Sequence, residues 1–156
     1  MPIAITLENY LKEHNVNYDV ISHSHTSYSM QSAEAAHIPG NELAKSIILE
    51  DNQGRVMATI PATRLLNLSE LNKQLNRKLE MISQYELKNI FRDCELGAVP
   101  ALGEAYGVET IIDECLDDCC NVYFEAGTHT DLIHVSGKDF KDIQHDSKHG
   151  RFSRQI

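Results

Sequence analysis

Leu43-Ala44-Lys45-Ser46-Ile47-Ile48-Leu49 and Arg55-Val56-Met57-Ala58-Thr59-Ile60 flank the turn signal Asp51-Asn52-Gln53-Gly54, and the pairing of these two runs decides how the chain is read. Two apolar, β-prone runs joined by Asx and Gly residues predict an antiparallel hairpin. Lys45 breaks the first run where a sheet should be buried. A lysine there must snorkel to water, pair with an acid, or meet an anion on a ligand.

Outward from the hairpin, Pro61-Ala62-Thr63-Arg64 leaves the second strand. Asn67 or Ser69 then caps a helix with Leu68, Leu71 and Leu75 on one face. Lys78 to Ile82 is a short strand, and Ser83-Gln84-Tyr85-Glu86 is a capping box opening a helix to about Phe91. Upstream, Thr6 caps a helix to about Asn15 that carries Leu7, Tyr10 and Leu11, and Tyr18 to His23 alternates as a strand. Ser29 to His37 is a helix capped by Ser29 or Ser32 and stopped by Pro39-Gly40. Downstream come a strand at Val108 to Ile112, an acidic turn or short helix at Asp113 to Cys120, strands at Asn121 to Glu125 and Leu132 to Ser136, and a helix at Gly137 to Ile143. The tail from Gln144 is polar and mildly basic, and is expected to fray. Helices interleaved with hairpins predict an α+β fold: a mixed, largely antiparallel sheet with helices packed around it.

Composition narrows the classes. At 156 residues, 42% hydrophobic and 24% charged, the chain reads as one domain over 1–156 with a core at about 29–143 and a tail at about 144–156. Neither a membrane span nor a signal peptide is visible in the sequence, which predicts a cytoplasmic protein. A formal charge of −9 argues against a general nucleic-acid coat and still permits one local contact with an RNA end.

Three features bear on chemistry. Leu96-Gly97-Ala98-Val99-Pro100-Ala101-Leu102-Gly103 is a stiff, uncharged loop whose amides can face a pocket, or equally a buried connector. His23-Ser24-His25 sets two imidazoles on one strand face, but no third ligand is near in sequence, so a solvated strand end is the simpler reading. Cys115, Cys119 and Cys120 cluster beside Asp117 and Asp118, with Cys94 apart. A structural zinc site ordinarily needs a second ligand pair, so free thiols are expected, with no metal and no cofactor.

The ordered set Ala44-Lys45-Ser46, Pro61-Ala62-Thr63-Arg64, Gly97-Ala98-Val99-Pro100 and Ala126-Gly127-Thr128-His129 resembles the YbaK/prolyl-tRNA synthetase-associated domain family over about 29–143. That family comprises aminoacyl-tRNA editing domains. The resemblance implies a curved mixed sheet wrapped by helices and a free-standing deacylase that hydrolyses mischarged aminoacyl-tRNA in trans. Its partners would be the aminoacyl-tRNA acceptor end and a synthetase. It implies that Lys45 sits by the terminal adenosine and its phosphate, that Gly97 lies at the aminoacyl carbonyl, and that Pro100 closes that motif. Gly127 and His129 fall where members carry a Gly-x-x-His or related motif, the spacing here being Gly-x-His. Ser46 stands where YbaK-like members have Ser or Thr and the alanine-specific group has Asn.

An aminoacyl ester is already activated, so the site must orient a water, neutralise an oxyanion and hold the adenosine. Lys45, Gly97 and His129 are the candidate catalytic residues; Ser46, Ala98, Val99, Pro100 and Gly127 are the candidate substrate-binding ones. A wall of Val99, Pro100, Ala101 and Leu102 would favour Ala, Ser, Thr or Cys, including when carried on tRNA-Pro. Two other classes remain open: a non-catalytic tRNA- or nucleotide-binding regulatory module, and a thiol or metal enzyme using the cysteines. The deacylase reading predicts hydrolysis that survives a chelator and replacement of Cys115, Cys119 and Cys120 by serine. Loss of turnover in a folded protein under either treatment would overturn it.

Overall fold

The computed structural model describes residues 3–27 and 29–156; Met1, Pro2 and Tyr28 lie outside it. The hairpin forms as expected. Strand β2 (Leu43–Asp51) runs antiparallel to β3 (Gly54–Pro61) in continuous register from Ala44↔Pro61 to Asp51↔Gly54. Only Asn52 and Gln53 make the turn.

Short strands then add to this hairpin. On the β2 side lie β7 (Asn121–Glu125), β8 (Asp131–Ser136) and β1 (Asp19–Ser22), and on the β3 side β6 (Glu109–Asp113) and β9 (Lys148–Gly150). The order is β1-β8-β7-β2-β3-β6-β9, with β5 (Glu80–Met81) also on β2. The β1–β8, β7–β8, β2–β3 and β2–β5 pairs are antiparallel; β2–β7, β3–β6 and β6–β9 are parallel. The result is the mixed, mostly antiparallel α+β sheet that the sequence predicts.

Five α-helices surround it among the described residues. Helix α1 (Ile5–Glu13) buries Leu7 and Leu11 with Phe124, Ile133, Val135 and the Phe140 of α5 (Gly137–Asp142). A second core joins Leu49, Val56, Ile60 and Ile111 to Leu71 of α3 (Leu68–Leu75) and to Phe152. Asn67 caps α3 by accepting from the Glu70 amide, and Ser83 caps α4 (Gln84–Ile90) by accepting from the Glu86 amide. Helix α2 (Ser29–Ala35) ends sooner than expected, because His37 takes a left-handed φ of 58° before Pro39.

Two expectations are corrected. Thr6 is not the cap of α1; Ala4 stands at that position, and the orphan Thr6 amide donates at 2.8 Å to the Asp93 carboxylate, 87 residues away. The tail does not fray. Residues 148–150 form β9 on β6, Ser153–Gln155 form β10 on β4 (Arg64–Leu66), and Phe152 between them is buried at 1% exposure. The Phe152 amide donates to Asp113 and its carbonyl accepts from Asn67, so the segment is clamped at both faces of one residue. Phe152→Ala should therefore destabilise the fold by about 3–5 kcal/mol in urea titration; an unchanged midpoint would return the tail to a frayed state.

Candidate active site

The site begins as a defect in strand pairing. On the edge facing away from β3, β2 pairs with β7 only at Leu43 and Ala44, and with β5 only at Leu49 and Glu50. Between these two contacts the edge from Lys45 to Ile48 has no strand beside it. The Ala62 amide donates to the Leu43 carbonyl, which sets the alternation: odd-numbered residues of β2 bond to β3 and even-numbered ones point the other way. The Ile48 carbonyl accordingly accepts from Ile82 at 3.3 Å, while the Ser46 amide and carbonyl turn into the gap.

A cavity of about 150 Å³ occupies that gap. Lys45, Ser46, Ile47 and Ile48 form one side, Met81, Ile82 and Leu87 another, and Gly97, Val99, Ser29 and Glu125 the rest. The Gly97 loop is latched over the open edge by the Ser46 hydroxyl, which donates to the Val99 carbonyl at 3.2 Å. Its shape is set by Gly97 itself, whose φ of +84° is the left-handed conformation that favours glycine.

The loop is held from behind by the turn before β8. The Gly127 amide donates to Ala98, and the Glu95 amide donates to Gly127 at 2.7 Å. Gly127 has a φ of +95°, and a Cβ there would stand 2.7 Å from that of Ala4. Its glycine is thus required for packing against the N-terminal segment. The same turn is fixed by Asp131. Burial pushes that carboxyl up, but hydroxyls donating from Thr128, Ser22 and Thr130 outweigh burial and hold it below its ordinary value.

Lys45, Ser46, Gly97 and Val99 are therefore brought to one cavity. Ala98 and Pro100 are not; both are buried behind the loop, and Ala101 and Leu102 belong to the core. The apolar wall comes instead from Ile48, Ile82 and Leu87 with Val99. The Ala98 amide is already spent on the Glu95 carbonyl, which leaves the Gly97, Val99 and Ser46 amides as candidate donors. His129 does not line the cavity. Its Cε1 lies 3.2 Å from where a Gly97 Cβ would stand, its Nε2 is 4.0 Å from Glu95, and its ring packs on His25 at 5.2 Å between centroids.

Two ionisable groups face the cavity. Burial lowers the Lys45 ammonium below its ordinary value, with no carboxylate contributing. Glu125, which sequence reading treated as the end of a strand, is 3% exposed and reaches the same space. Burial raises its carboxyl from 4.5 to about 7, opposed in part by a hydrogen bond from Ser32. The one sequence signal for it was an acid following Val122-Tyr123-Phe124 and preceding Ala126. The cysteines lie elsewhere: burial pushes Cys94 up to about 12 and also raises Cys115 and Cys119, the reverse of what a nucleophilic thiol needs. No group of three His, Cys, Asp or Glu among the described residues is placed to hold a metal ion.

A latched loop over an unpaired strand edge, enclosing a small cavity with one lysine, defines a pocket-bearing α+β domain. The aminoacyl-tRNA editing domain profile matches residues 23–143, and the chain belongs to that family. Its fold is similar to that of several solved structures. One is a candidate trans-editing enzyme for prolyl-tRNA synthetase, at TM-score 0.84 and 16% identity, covering 99% of this chain and 98% of that one. Another is a scaffold from computational epitope grafting, at 0.86 and 14%, covering 100% and 99%. A third is a candidate signal-transduction protein from Marinobacter aquaeolei VT8, at 0.80 and 23%; it covers 98% of this chain, which spans 31% of that protein's length. No curated protein matches this chain with significance. No helix among the described residues is long and apolar enough to cross a membrane.

The buried carboxyl has a measurable consequence. Between pH 4.5 and about 7 the unfolded chain ionises Glu125 while the folded one keeps its proton, so this group's contribution makes stability fall as pH rises through that window and level off above it. Glu125→Gln should flatten the decline and be more stable than wild type at pH 8 by roughly 1–3 kcal/mol. Urea titrations at pH 5 and pH 8 check this; identical slopes for both proteins would show that Glu125 ionises normally.

Proposed function

We propose that this editing domain is a deacylase that hydrolyses the ester of a mischarged tRNA carrying a small amino acid. The observation that carries the reading is the gap beside Ser46: an unpaired strand edge, roofed by the Gly97 loop, with backbone amides on two sides of a cavity of about 150 Å³. Carbonyl chemistry needs donors fixed before charge develops, and a β-edge braced by a full-length hairpin supplies them without reorganisation.

In this reading the ester carbonyl enters between the Ser46 edge and Gly97, where the Gly97 and Val99 amides take up the developing oxyanion. Lys45 holds a phosphate or ribose oxygen of the terminal adenosine as a point charge. A water, or the vicinal ribose hydroxyl, completes attack on an ester that is already activated. His129 packs against Gly97 and steadies the loop, so in this reading the candidate catalytic residue acts by positioning. Ile48, Ile82, Leu87 and Val99 bound the acyl side chain. They exclude large residues sterically, while separating Ala from Ser or Cys rests on about 1–3 kcal/mol. The tRNA is met locally at its acceptor end, in keeping with a chain of net charge −9.

Single-turnover deacylation of tRNAs charged with Ala, Ser, Thr, Cys and Pro tests this directly. At least one small aminoacyl ester should be cleaved, and Lys45→Ala should lower that rate at least ~10²-fold while the melt stays within a few degrees of wild type. Gly97→Ala should lower it further than the folded fraction falls, because φ of +84° strains any side chain and the new Cβ meets His129. Wild-type rates in a folded Lys45→Ala protein would remove Lys45 from the site. An inert wild type that still binds the acceptor end would favour the regulatory module.

A further inference from the structure

Glu125 is an unusual residue to find at the bottom of an apolar cavity. It is 3% exposed, its Oε2 has no hydrogen-bond partner among the described residues, and its other support is Ser32, itself tied to Thr26 by a 2.6 Å hydroxyl contact. A buried carboxylate is costly unless a cation or donors meet it. Lys45 lines the same cavity from the neighbouring strand, one residue beyond the Ala44↔Phe124 pairing, yet neither group alters the titration of the other. Elsewhere the chain pairs its half-buried charges; Arg77, for example, grips Asp51 through two nitrogens. Here an acid and a base of opposite sign share one space and stay apart.

We propose that Glu125 is the binding site for the α-ammonium of the aminoacyl group, so that the cavity reads a free amino acid ester by its positive charge as well as by its size. The proposal rests on the deacylase reading and deepens it. An aminoacyl-adenosine end carries one cation, two bonds from the ester carbonyl, and its anions lie beyond the ribose. The cavity offers a matching difference in burial, Glu125 being buried and Lys45 only partly so. The unpartnered Oε2 supplies the acceptor. A carboxyl that titrates near neutrality gives up its proton readily once an ammonium arrives. Acyl groups whose nitrogen is blocked, such as peptidyl or N-formyl esters, would lose that contact and leave Glu125 buried without a partner.

The test uses two non-hydrolysable ligands of equal size, 3′-alanylamido-adenosine, which carries the ammonium, and 3′-lactylamido-adenosine, which has a hydroxyl in its place. Isothermal titration on the wild-type protein should give ~10–100-fold tighter binding of the alanyl ligand, the range for a buried charge-assisted contact. In Glu125→Gln, whose folding is verified by its melt, the preference should fall to within about threefold while lactyl affinity holds. Equal affinities in the unaltered protein would overturn the proposal without recourse to any variant, and so would a Glu125→Gln protein that keeps the preference. The two readings separate cleanly. Cleavage of alanyl-tRNA with no ammonium preference removes this role from Glu125 and leaves the deacylase standing; an ammonium preference in a protein that leaves charged tRNA intact does the reverse.

Discussion

Everything in this molecule that can act on a ligand depends on β2 being bonded along the whole of one edge and at only the two ends of the other. A strand lacking a partner over four residues would ordinarily sag, fray or recruit another chain. The eight-pair register with β3 prevents the first two. The third is blocked because the Gly97 loop, β5 and α4 close over the gap, touching it only at Ile48 and through the Ser46 hydroxyl. The Ser46 side chain is part of this arrangement, since its hydroxyl spends its proton on the Val99 carbonyl and so holds the lid while its own backbone stays open. Binding capacity and structural integrity thus sit on opposite edges of one strand.

The lid is fixed from far away in sequence. Glu95, Ala98 and Gly127 exchange backbone hydrogen bonds, Gly127 packs on Ala4, and the Asp131 carboxylate gathers three hydroxyls beneath the turn. Asp93 extends the chain of contacts by capping α1 and accepting from Tyr106 at 3.0 Å. The N-terminal helix is therefore part of the framework that sets the position of Gly97, although it contributes no atom to the cavity. This is the general way a pocket loop acquires rigidity: it is braced by elements that gain stability from their own burial.

How legible all this was follows from the range of the interactions. The β2–β3 hairpin, the cap at Asn67, the Ser83 cap and the strands β7 and β8 were readable because each is encoded locally in the sequence. The gap was not, because it exists only as the difference between two long-range pairings. Thr6 looked like a cap because the true one, Asp93, is 87 residues away. The tail looked like a loose end because Phe152 is a single apolar residue among polar neighbours, and only its partners Asp113 and Asn67 show that it is anchored. Within the site, Lys45 and Gly97 announced themselves by breaking a pattern. Gly127 entered only through the family resemblance, and its glycine answers to the packing of Ala4. Glu125 broke no pattern, since a polar residue at a strand end is what solvent exposure usually produces.

The charge distribution explains why such a site can exist on an acidic chain. With 23 acidic and 14 basic side chains, the long-range field repels a polyanion, and a general basic track is absent from the composition. What remains is a short-range attraction from one lysine in a mostly apolar cavity that it shares with Ser29, Ser46 and Glu125. In the proposed reading the low local dielectric would strengthen its grip on an oxygen anion while the surrounding acids are screened by water. The same low dielectric penalises Glu125 until a cation arrives. The two groups line one cavity without forming an ion pair, so under the proposal above both would be available to a ligand that brings both signs of charge.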